Sequence, residues 1–191
     1  GAMYVQMENA FAQGNRTQAF ILLGDLERKY GSSPYADQAK LASARAFVED
    51  GDLVRAADEL RDVMQNSHDA VLKLIARQRL ARVQIAQHQP SDAIATLNGA
   101  TPGALAPQYA EARGDAYYAM GDKSAALAQY RLARATDTGG QTDPGLLDLK
   151  ISDLAADVAA PAARQGAGST AAPGAQSVKP AAVPAAGSHP Q

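Results

Sequence analysis

An alanine followed four residues later by a large side chain recurs along this chain: Ala19 and Leu23, Ala56 and Leu60, Ala93 and Leu97, Ala126 and Tyr130, at spacings of 37, 37 and 33 residues. Each pair stands early in a stretch that opens on turn residues: GNRTQAF, GDLVRAADEL, QPSDAIATL and GDKSAALAQY. Residues four apart share one face of an α-helix, so each stretch presents a small and a large group to the same neighbour. The remaining length of each period leaves room for one further helix. A chain under this constraint builds helix pairs that cannot bury their apolar faces singly and stack to do so.

The other apolar residues agree, recurring at intervals of three and four and never in sustained alternation. The pattern breaks at Gly14-Asn15, Gly31 to Pro34, Gly51-Asp52, Asn66-Ser67, Gln89-Pro90, Thr101 to Gly103, Gly121-Asp122 and Thr138 to Pro144. Nine helices are predicted between these breaks, over 4–13, 16–30, 34–50, 52–66, 69–87, 91–99, 104–120, 122–136 and 144–158. Residues 1–3, Gly-Ala-Met, read as the remnant of a cleaved expression tag, and 4–158 as one folded domain. In 159–191, 21 of 33 residues are Ala, Pro or Gly, too few bulky groups to offset the entropy of ordering, so this tail is expected to be disordered.

Helix pairs repeating at about 34 residues have the tetratricopeptide period. The expected fold is all-α, a tetratricopeptide-like helical-hairpin solenoid with a C-terminal capping helix and a disordered tail. The fullest repeat is GDAYYAMGDKSAALAQYRLARA, in which Gly114 and Ala126 let two helices approach, Gly121 closes the turn between them, and Tyr117 and Tyr130 fill the space beside it. Ala44, Phe47 and Gly51 repeat that pattern in the second unit. The third has Ala81 but carries His88-Gln89-Pro90 where a turn glycine belongs. Lys40, Arg77 and Ala110 stand where a large aromatic is usual. In PGLLDLKISDLA, Leu146, Leu149, Ile151 and Leu154 form the stripe expected to cover the open end of the stack, or to meet a partner.

Composition removes whole classes of chemistry. Eighteen basic and twenty acidic residues leave a net charge of -2, no field for a nucleic-acid backbone. The chain has no cysteine, its three histidines (His68, His88 and His189) are scattered, and neither a zinc spacing nor a phosphate-binding glycine loop occurs. Ser67-His68-Asp69 holds triad residue types, but adjacent positions cannot converge on one reacting atom, and a helix start explains them. The sequence therefore predicts no catalytic residues, no cofactor and no metal. No run reaches the length of a membrane span.

Lys73, Arg77, Arg79 and Arg82 place four cations on one helix. They read either as solvated charge or as a recognition surface. In the second case the first helix of each pair lines a concave groove presenting Gln38, Arg45, Gln78, Arg82, Gln108, Glu111, Asp115 and Tyr118, basic at one end and acidic at the other. Such a surface suits an extended peptide or the polar face of a partner.

The strings ERKYGSSPYADQAKLASARAFVEDGDLVRAADELRDVM, LIARQRLARVQIAQHQPSDAIATL, AEARGDAYYAMGDKSAALAQYRLA and LLDLKISDLA resemble, in order and spacing, the periplasmic domain of the YfgM family, the ancillary SecYEG translocon subunits of Gram-negative bacteria. RLARVQ and the terminal LKISDLA are its most specific parts. The resemblance implies a non-enzymatic scaffold on the periplasmic side of the inner membrane, tethered by a membrane helix upstream of Tyr4. Its implied partners are the SecYEG translocon, the periplasmic chaperone PpiD and client polypeptides, with a role in handover of secreted proteins. An oligomerising or regulatory tetratricopeptide scaffold unrelated to secretion is the alternative. No family motif carries a catalytic residue into this sequence.

Overall fold

The computed structural model describes residues 1–31 and 33–166, and among these every regular element is helical. Nine α-helices follow one another: α1 (Ala2–Ala12), α2 (Arg16–Tyr30), α3 (Pro34–Glu49), α4 (Leu53–Asn66), α5 (Ala70–Ala86), α6 (Pro90–Asn98), α7 (Ala106–Ala119), α8 (Lys123–Thr136) and α9 (Pro144–Gly166). A single 3-10 turn, Gly103–Leu105, leads into α7. Four antiparallel pairs, α1/α2 to α7/α8, are closed by α9 packed on α8. The tetratricopeptide-like solenoid read from the sequence is present.

One turn is built four times. Gly14, Gly51 and Gly121 take left-handed backbone angles, and so does His88, with φ of 61°. In each case the next residue's N–H reaches back five residues: Asn15 to Ala10, Asp52 to Phe47, Gln89 to Gln84, and Asp122 to Tyr117, over 2.8–3.0 Å. These bonds satisfy the last carbonyls of the first helix. Asn15, Asp52 and Asp122 then cap the second helix by accepting a hydrogen bond from the backbone three residues on, whereas Gln89 makes no such bond. The third unit thus keeps the geometry of the turn without the residues that favour it.

Above the turns, the four alanines of the recurrence are fully buried, and their large companions Leu23, Leu60, Leu97 and Tyr130 are no more than 6% exposed. Four apolar clusters succeed one another along the stack. Met7, Leu23 and Leu26 anchor the first; Phe47, Leu60 and Leu80 the second; Leu97 and Tyr109 the third; Tyr130, Leu147 and Leu154 the last. The first two are joined by an aromatic ladder. Phe11 meets Phe20 edge-on at 5.5 Å, Phe20 stacks on Phe47 at 4.8 Å, and the Arg55 guanidinium lies 4.4 Å over Phe47.

The structure adds detail at both ends. Ala2 and Met3, assigned to a tag remnant, form the start of α1, and Met3 packs on the first cluster. At the other end α9 continues to Gly166, eight residues past the expected limit. The rest of the tail, 167–191, lies outside the described residues. The packing stripe of α9 also differs: Leu147 and Leu154 are buried with Ile151 and Val158 beside them, while Leu146 and Leu149 are 46% and 57% exposed. The buried set follows the spacing of a single helical face, which Leu146 and Leu149 leave.

Candidate functional site

The first helices of the pairs touch in succession, α1 on α3, α3 on α5 and α5 on α7, while each second helix packs between its two neighbours in sequence. The odd-numbered helices therefore share one side of the stack. Three depressions run along it. The first lies between α1 and α3, lined by Glu8, Phe11, Ala42, Arg45 and Glu49. The second lies between α3 and α5, floored by Leu53 and Leu60 of α4 and walled by Val48, Val83, Arg45, Arg79 and Arg82. The third lies between α5, α7 and α9, and includes Arg82, Glu111, Asp115, Tyr118, Leu146 and Lys150. Arg45 belongs to both the first and the second, and Arg82 to both the second and the third. The depressions form one furrow of about 330, 330 and 470 Å³ in turn.

Five of the eight groove residues expected from the sequence, Arg45, Arg82, Glu111, Asp115 and Tyr118, line this furrow. Gln38, Gln78 and Gln108 line none of its depressions. Gln38 projects into solvent and Gln78 is half-buried. Gln108 has a buried Oε1 without a hydrogen-bond partner among the described residues. The spacing found the right helices but rotated these three positions off the open face.

The acidic end of the furrow is not an open array of charges. Lys150, from α9, donates to Glu111 Oε1 at 3.0 Å and to Asp115 Oδ1 at 2.8 Å, and sits 5.1 Å over the Tyr130 ring. Arg82 reaches the other oxygen of Glu111 at 3.3 Å, and Tyr130 Oη donates to Asp115 at 2.8 Å. Burial disfavours the Lys150 ammonium, but the bonds and charges of Asp115 and Glu111 outweigh it and hold its pKa above the ordinary value. Burial, and then the Asp115 carboxylate, push the Tyr130 phenol up, so it stays a donor. Lys150 escaped the sequence reading because its partners lie 35 and 39 residues away on another helix.

The four cations of α5 have separate fates. Arg77 donates to the Thr96 carbonyl at 2.9 Å near the C-terminus of α6, Arg82 pairs with Glu111, and Lys73 is half-buried. Arg79 forms no ion pair among the described residues. The residue is exposed at the surface, and its pKa is lowered by loss of hydration among its neighbours first and then by the charges of Arg45 and Arg82. Its place in the furrow was legible in one respect, since it precedes Arg82 by three residues and so shares its face.

Residues 1–156 match the family described as tetratricopeptide repeat-like domain. The chain belongs to this family. It is also similar to proteins named ancillary SecYEG translocon subunit. That of Escherichia coli K12 is 30% identical over 120 residues, covering 63% of this chain and 58% of the relative. That of Aggregatibacter actinomycetemcomitans is 27% identical over 153 residues, covering 80% and 71%. That of Neisseria gonorrhoeae is 29% identical over 148 residues, covering 78% and 71%. These relatives bear out the resemblance to the YfgM family. The chain spans little more than half the length of the E. coli relative. No helix among the described residues is long and apolar enough to cross a membrane.

Proposed function

We propose that this domain is a non-enzymatic protein-interaction scaffold, an accessory of the Sec translocon facing the periplasm from the inner membrane. Its furrow grips a partner protein, for which the chaperone PpiD is the candidate, and the complex assists handover of emerging polypeptides. The observation that carries this reading is the furrow along α1, α3, α5, α7 and α9, whose depressions share Arg45 and Arg82 and lie too open for a sequestered reaction. The names of the relatives supply the translocon. In the test, photocrosslinkers replace Arg82 and Tyr118 in living cells, and the captured species are identified by mass spectrometry. Translocon subunits or a periplasmic chaperone are expected; capture of neither at both positions rejects the reading.

A self-associating scaffold is favoured by one observation, the exposure of Leu146 and Leu149 on α9. Light scattering across protein concentrations tests it, since a mass that stays monomeric excludes this use of the surface.

A further inference from the structure

The middle depression of the furrow differs from its neighbours in chemistry. Its walls and floor are apolar, formed by Val48, Leu53, Leu60 and Val83, and three guanidiniums, Arg45, Arg79 and Arg82, stand among them. Val48 remains 43% exposed there. The positive charge is only partly answered among the described residues. Arg45 meets Glu49 at 3.0 Å in an exposed pair of adjacent helical turns, a weak interaction. Arg82 shares Glu111 with Lys150. Arg79 has no acidic partner among the described residues and is repelled by the other two arginines.

Resting on the groove reading above, we infer that this pocket is the anchor point of the furrow and takes an acidic, apolar peptide segment: one bulky apolar side chain seated over Leu60 and Val83, with carboxylates beside it engaging Arg79, Arg82 and Arg45. The volume of about 330 Å³ admits a large side chain, and lies at the low end of pockets that hold small ligands. An anion brought to Arg79 relieves the repulsion among three like charges and gains charge-assisted, bidentate geometry that guanidinium provides and ammonium does not. The other depressions lack this combination. In the first, Arg45 stands beside Glu8 and Glu49, and in the third Glu111 and Asp115 already pair with Arg82 and Lys150, so neither offers an added carboxylate an excess of cations. A partner threading the furrow is thereby fixed in register, with its acidic residues at the centre. A recess between helices that continues into a furrow favours a peptide over the flat surface of an anionic bilayer.

The experiment uses three fluorescein-labelled peptides with a central phenylalanine flanked by Glu, by Ser or by Lys, titrated against the whole chain by fluorescence anisotropy. The Glu peptide is expected to bind tightest and to weaken as salt rises. Arg79→Glu should weaken it by about tenfold or more. Ala86→Trp, which fills the pocket from an exposed helix position without changing charge, should weaken all three peptides while circular dichroism stays unchanged. Equal binding of the three peptides, or a Glu peptide indifferent to both substitutions, overturns the inference. So does association with phosphatidylglycerol vesicles that competes with the peptide. In cells, loss of partner capture in Arg82→Glu/Tyr118→Ala but not in Arg79→Glu overturns the pocket and leaves the furrow; retention in both overturns both.

Discussion

Tyr130 fills with its ring the space in which a Cβ on Gly114 would stand: such an atom would lie 2.5 Å from Cδ1 of the tyrosine. The same pair of positions is occupied by Ala44 and Leu60 in the second unit and by Ala81 and Leu97 in the third, all buried. The larger partner on α8 thus goes with the smaller one on α7. Gly114→Ala should destabilise the domain by about 2 kcal/mol despite the better helix propensity of alanine, because two aromatic carbons must move in a packed core. Gly114→Ala combined with Tyr130→Leu restores the pairing used elsewhere. Urea denaturation of the single and double variants should give a coupling of about 1 kcal/mol or more; additive losses would show that the two positions are independent.

Gly24 provides the opposite case on α2. Nothing lies within 4 Å of a Cβ placed there, and its backbone is helical. Gly24→Ala should stabilise by up to about 1 kcal/mol, the propensity difference alone, as read from a rise in the urea midpoint at constant slope.

In the third turn His88 adopts the left-handed backbone that glycine holds in the other three, and Gln89 leaves α6 without a side-chain cap. His88→Gly should stabilise by roughly 0.5–1 kcal/mol and Gln89→Asp by about 1 kcal/mol. Thermal denaturation of both variants checks this. A loss of stability in His88→Gly would mean that the imidazole makes contacts that outweigh its backbone strain.

Glu59 on α4 faces Glu27, Lys40, Asp58 and Asp62, and its pKa is raised to about 7, by burial first and then by the charge of Glu27. A carboxyl that holds its proton more tightly folded than unfolded contributes stability below its unfolded pKa of about 4.5 and loses it as pH rises through about 7. Glu59→Gln, which cannot ionise, should therefore stabilise most above pH 7, by about 1 kcal/mol after allowance for its partial exposure, and the gain should shrink toward pH 5. Melting temperatures of both proteins across that range test the sign.

Lys150→Met removes the cation between Glu111 and Asp115 while keeping the length of the side chain. Glu111, whose side chain is 9% exposed, is left with Arg82 alone. A loss of about 1–3 kcal/mol is expected, with α9 exchanging its amide protons faster, measured by hydrogen exchange. If only the surface-pair value of a few tenths is lost, Lys150 is a solvated charge.

Much of the molecule is legible in the sequence alone. Ala19, Ala56, Ala93 and Ala126 with their large companions gave the period, and Gly14, Gly51 and Gly121 marked where one helix must end and the next begin. These signals are local, for a helix face and a turn are set by residues within a few positions of one another. Arg45, Arg82, Glu111, Asp115 and Tyr118 could be placed on one side by the same reasoning. What lies opposite them could not. That Lys150 neutralises the acidic end, that Arg77 reaches α6, and that Arg79 meets Arg45 and Arg82 but no acid among the described residues all depend on helices meeting across 19 to 39 residues.

The sequence by itself determined a stack of helix pairs and, at three of its four turns, the glycine that closes them, because helix periodicity and backbone sterics act at short range. Only the tertiary structure decided which charges are spent inside the protein and which remain available at its surface. That partition follows from how the helices pack: two oppositely charged side chains offset the loss of water only when distant parts of the chain bring them within a few ångströms.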